Sequence, residues 1–152
     1  MSVKEHKERI LAICATFDGV VTTIKGTMRG LTSDDMPAFT VLTGGAQHSF
    51  QDSETLQTVR QYRLILLAYP IDAGMEFEGE ELCEPFYPIV EQEFSERPGL
   101  YLTDQTDALA GVQEAHLITD GGFQVTDFAA FGGAGVEFII EVQYITSIQR
   151  GW

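Results

Sequence analysis

The chain is 152 residues long, with 44% hydrophobic and 21% charged residues, which is enough for one folded domain with a real core and argues against general disorder. A formal net charge of −14 argues against a protein that grips phosphate backbones, because that task takes clustered Lys and Arg. No apolar run has the length of a membrane span. The opening residues are charged and lack the hydrophobic stretch of a signal peptide, so the expectation is a protein made and kept in a cytoplasm, with no membrane partner. The charge is uneven: the first thirty residues carry five basic and three acidic side chains, the remainder four and twenty.

Val3, Ile10, Ile13, Cys14, Phe17, Val20, Val21 and Ile24 recur at three- and four-residue steps. This spacing predicts an amphipathic helix over about 2–24, with Lys4, Glu5, His6, Lys7 and Glu8 on its wet side. Ser2 and Glu5 have the spacing of a capping box, and Gly26 stands where a helix would stop. Residues 25–37 read as a loop, forced into extension before Pro37. Ala38–Leu42 is a short strand ending at Gly44–Gly45. Residues 46–60 are polar and turn at Asp52–Ser53, the pattern of a β-hairpin projecting from the core. Its second limb runs into Tyr62–Tyr69, where Leu64 and Leu66 fall on one face and Ile65 and Leu67 on the other. A strand apolar on both faces belongs in the middle of a sheet.

Asp72–Glu96 holds nine acidic residues and no Lys or Arg. Its apolar stripe, Leu82, Phe86, Ile89, Val90 and Phe94, predicts a helix over roughly 78–95, kinked or restarted at Pro85. Val112–Thr119 reads as a strand, Asp120–Gly121–Gly122 as a hairpin turn, and Gly132–Gly135 as a flexible connector. Val136–Ile148 closes the chain. Val136, Phe138, Ile140, Val142 and Tyr144 alternate with Glu137, Glu141 and Gln143, as a strand with one buried face requires. The order predicts a single α+β domain over 1–152: a mainly antiparallel sheet, two packed helices and a projecting β-hairpin.

Chemistry is sparse. His6, His48 and His116 stand apart in the pattern. Cys14 and Cys83 lie in apolar stretches with no Cys or His at metal-ligand spacing, which reads as two reduced, buried thiols. The glycine pairs lack the context of a phosphate loop, and Asp34–Asp35 and Asp104/Asp107 lack the spacing of a calcium loop. The expectation is therefore no catalytic, cofactor or metal site. A small hydrolase with dispersed acidic residues stays open as an alternative, since acids brought together from distant positions leave no motif.

The whole layout resembles the tail terminator proteins of long-tailed bacteriophages. The likeness is carried by an N-terminal amphipathic helix and a Pro-led short strand (Met36–Pro37–Ala38–Phe39–Thr40–Val41). A polar hairpin then feeds an Arg-Gln-Tyr-Arg-Leu strand (Arg60–Leu64). It continues through an acidic helix before a Pro98–Gly99–Leu100 loop, the Asp120–Gly121–Gly122 hairpin and a long amphipathic last strand. The resemblance implies a virion structural protein, assembled in the host cytoplasm, that forms a six-fold ring on the head-proximal end of the tail tube. Such a ring ends tube polymerisation and offers the head-docking surface. Its implied partners are further copies of itself, the tail tube protein and a head-completion or neck protein, with DNA passing through unheld. Another neck, connector or tube-related protein is the alternative within that class. On this reading Gln47, His48, Phe50, Val59 and Arg60 of the hairpin are the candidate contacts with a neighbouring subunit or the tube. Glu76, Glu78, Glu80, Glu81 and Glu84 are the candidate acidic lumen or surface.

Overall fold

The computed structural model describes residues 3–25, 33–70, 76–102, 105–128 and 131–147. The elements run α1 (Val3–Cys14), β1 (Thr22–Lys25), β2 (Ala38–Phe50), β3 (Thr55–Pro70), α2 (Glu76–Cys83), α3 (Phe86–Ser95), β4 (Val112–Phe128) and β5 (Phe131–Ser147). The five strands make one sheet in the order β1-β2-β3-β5-β4. Among the described residues, only β1–β2 is parallel and the other pairings are antiparallel. This is the α+β architecture expected from the sequence, with the helices on one face of the sheet.

The two-sided apolar stretch of β3 does lie centrally, paired to β2 on one side and β5 on the other. Tyr62, Leu64, Leu66 and Ala68 face the helices. There they join Phe39 and Val41 of β2 and Val136, Phe138, Ile140, Val142 and Tyr144 of β5 in one core. Ile65 and Leu67 point the other way and form a small second cluster with Met36 and Ala38. The core is floored by the sheet and roofed by Ile10, Ile13 and Cys14 of α1 and Phe86, Val90 and Phe94 of α3. Phe17 links the two helical flanks, lying edge-on to both Phe39 and Phe94.

Four sequence expectations are revised. The first helix stops at Cys14, not near residue 24. Thr16 and Phe17 tighten its last turn onto the Ile13 and Cys14 carbonyls. Gly19 then takes φ +89°, and the β-branched Thr22–Lys25 run pairs with β2. His6 is fully buried and not on the wet side. Asp120–Gly121–Gly122 is a bulge inside an unbroken β4, where the Asp120 carboxylate accepts the Gly122 N–H at 3.1 Å. Gly132–Gly135 is part of β5. Its last glycine is required by close approach, since a Cβ on Gly135 would lie 1.8 Å from the Leu66 carbonyl oxygen. The acidic helix breaks as expected: Pro85 takes the N-cap of α3 at φ −63°, and Pro88 falls in the first turn.

The polar ribbon also differs from an isolated projecting arm. Residues 51–54 turn the chain, with the Gln51 N–H donating to the Thr55 carbonyl at 2.9 Å. From Thr55 to Arg60, however, β3 stays paired with β5 as well as with β2, and Thr58 is only 2% exposed. The ribbon is a continuation of the sheet, because β5 is long enough to need a partner there.

The glycine chemistry gives a paired test. Gly135→Ala is expected to lower stability by on the order of 2–3 kcal/mol through forced separation of β3 and β5, a fall of roughly 10 °C in the melting midpoint. Gly45→Ala, where a Cβ would meet nothing within 4 Å, should melt like the parent. Circular-dichroism melts of the two variants check both.

Candidate functional site

The outer part of the helix-bearing face is organised on His6. From the first turns of α1 its ring lies edge-on to Tyr62 of β3 and Tyr144 of β5, at centroid distances of 5.7 and 4.5 Å. His6 Nδ1 is 2.6 Å from the Tyr62 hydroxyl. Arg60 Nε donates to the Tyr144 hydroxyl at 3.2 Å, and its Nη1 donates to the Gly44 carbonyl at 3.3 Å, tying β5 to the bulge in β2. One pair further out, His48 Nδ1 lies 2.9 Å from Thr58 Oγ1. His6 Nε2 is buried with no hydrogen-bond partner among the described residues. Burial pulls the His6 pKa down to about 4, against the opposing pull of Glu5 and with a smaller push from Arg60. Burial likewise drives the Tyr62 hydroxyl above its ordinary range. At neutral pH the His6 imidazole and the Tyr62 hydroxyl are therefore both uncharged.

The opposite face carries polar side chains bonded to one another across strands. Gln51 donates to Gln57, Gln57 to Gln113 and Gln143 to Gln113, at 2.6, 2.9 and 3.0 Å. Arg63 of β3 holds Glu137 of β5 through Nη2 at 2.6 Å and Nε at 3.2 Å. His116 of β4 sits between Glu114 at 3.6 Å and Glu141 at 3.9 Å. A groove of about 340 Å³ lined by Gly45, Ala46, Gln47, Val59, Gln61 and Glu141 opens on this face.

The five ribbon residues thus split between two surfaces. Gln47 and Val59 pair across β2–β3 and line the groove of the open face. His48, Phe50 and Arg60 fall on the other parity, toward the helix side, with Phe50 61% exposed. Of the acidic candidates, Glu80, Glu81 and Glu84 are exposed around Leu82, itself 45% exposed. The side chains of Glu76 and Glu78 lie outside the described residues, as does Asp104. Asp107 is a loop fastener: its carboxylate accepts the Leu102 N–H at 2.7 Å and stands 3.8 Å from Arg9. Asp34 and Asp35 occupy a short 3-10 turn.

Both cysteines are buried free thiols. Burial pushes Cys83 up to about 12 and Cys14 well above its usual value, so both stay protonated and weakly nucleophilic. Among the described residues, no three His, Cys, Asp or Glu side chains are grouped to hold a metal ion. His6 is the residue that sequence reasoning misplaced. Its spacing carried the signal, since residues 3, 6, 10, 13 and 17 follow the helical stripe, but a histidine reads as polar until its partner is known. No protein-family model matches the chain, and no curated protein matches it at a significant level.

The depressed His6 pKa has a defined consequence. The folded protein resists protonation that the unfolded chain accepts near 6.5, so this contribution is complete above that pH and shrinks as pH falls toward 4. The loss attributable to His6 between pH 7 and pH 4 is about 3 kcal/mol. His6→Leu combined with Tyr62→Phe removes both polar partners together. Urea unfolding of this variant should show a shallower loss of stability over that interval than the parent.

Proposed function

We propose that this chain is a structural subunit that assembles into a ring capping a phage tail tube, ending its polymerisation and presenting a surface to the head. The observation that supports this best is the one-sided sheet. Helices cover one face, while the other, beyond the small Met36, Ala38, Ile65 and Leu67 cluster, presents a bonded layer of amides and paired charges across β3, β5 and β4. Such a broad, pre-satisfied surface suits contact with large partners, or passage of one, better than capture of a small substrate. Amides and carboxylates with few cations also offer little hold on a passing polyanion. Among the described residues, β4 and the stretch of β2 beyond Val41 pair on one side only. These edges leave ladder groups for a neighbouring copy.

The deciding experiment is negative-stain electron microscopy of the purified protein, alone and mixed with tail tubes. The reading requires closed rings and their attachment at the head-proximal tube end. Rings found only in the neck would favour a connector, and a monomer at every concentration would remove the ring altogether. In a gel-shift titration at about 0.15 M salt, duplex DNA is expected to stay unshifted at micromolar protein, as the acid excess repels phosphate.

A further inference from the structure

Two features of the helix-bearing side are unexplained by the fold. The first is a groove of about 300 Å³ between α1 and β2, lined by Val3, Val41, Lys4 and Lys7. Its walls are apolar and its rim cationic, with the Lys4 side chain 79% exposed. The second is Leu82 on α2, a large apolar side chain left 45% exposed and flanked by the exposed Glu80, Glu81 and Glu84. Each surface has the chemistry the other lacks: an apolar knob among acids, and an apolar slot between lysines.

We infer that Leu82 of one copy seats in the α1–β2 groove of the next, with Glu81 and Glu84 meeting Lys4 and Lys7. The inference rests on the ring reading above and supplies its interface. α1 packs over β1 and β2, whereas α2 packs over β3, β5 and β4, so knob and slot occupy different parts of the subunit. A contact between unlike patches is heterologous, and repeated with a rotation that closes it makes a ring. The charge distribution agrees, since the basic excess lies in the first thirty residues and the acids follow. Complementary charge around an apolar anchor sets partner choice and register. The rival occupant is Phe50, which is more exposed but sits beside the turn at residues 51–54 instead of among the α2 acids.

The test uses the full chain in sedimentation velocity and electron microscopy, with circular dichroism to verify folding. Leu82→Gln, and separately Lys4→Glu/Lys7→Glu, should each weaken ring formation at least tenfold. Adding Glu81→Lys/Glu84→Lys to the double lysine variant restores the parent's net charge and the pairing of opposite signs, and should restore rings. Folded Leu82→Gln that still makes rings at parent concentrations would overturn the inference while the ring reading stands. So would a quadruple variant that folds without regaining rings, or loss of rings from Phe50→Ser alone. Parent protein that never associates would defeat both this inference and the ring.

Discussion

The antiparallel register between β3 and β5, from Thr55 opposite Ser147 to Pro70 opposite Gly133, is the constraint on which the rest of the domain depends. These two strands supply most of the large buried side chains, and their alternation decides which residues face the helices. A slip of one residue would send Leu64, Leu66, Phe138 and Ile140 to the open face and bring Arg63, Glu137 and Glu141 beneath the helices. Gly135 guards this register sterically, because the Leu66 carbonyl occupies the space where any other residue would place its Cβ. The Arg63–Glu137 pair, diagonal across the two strands because Arg63 faces Ile139 and Glu137 faces Ile65, favours it electrostatically.

The same register extends the sheet beyond the helical roof, and different chemistry completes each surface there. On the helix side, His6 fills the gap between Tyr62 and Tyr144, while Arg60 ties Tyr144 to the bulge of β2. A buried polar cluster of this kind joins α1 to three strands with directed contacts that an apolar cluster would not specify. It does so at the cost of an imidazole whose charging is opposed by its burial. On the open side the glutamines satisfy one another between strands, so the surface is ordered without being covered.

Much of this was legible from the sequence alone. Alternation along Val136–Tyr144 determined which side of β5 is buried, the two-sided apolar run at Leu64–Leu67 determined that β3 is central, and Pro85 determined where the acidic helix restarts. These are local consequences of period and of backbone chemistry. Tertiary structure decided the rest. Whether Val20–Ile24 continues a helix or forms a strand depended on β2 being available as a partner. Whether Asp120–Gly122 is a turn or a bulge depended on β5 having residues left to pair. Whether His6 is wet or buried depended on two tyrosines more than fifty residues away. The division has one physical cause: periodicity encodes what a segment can bury, whereas hydrogen-bond partners and close approaches exist only once distant strands have met.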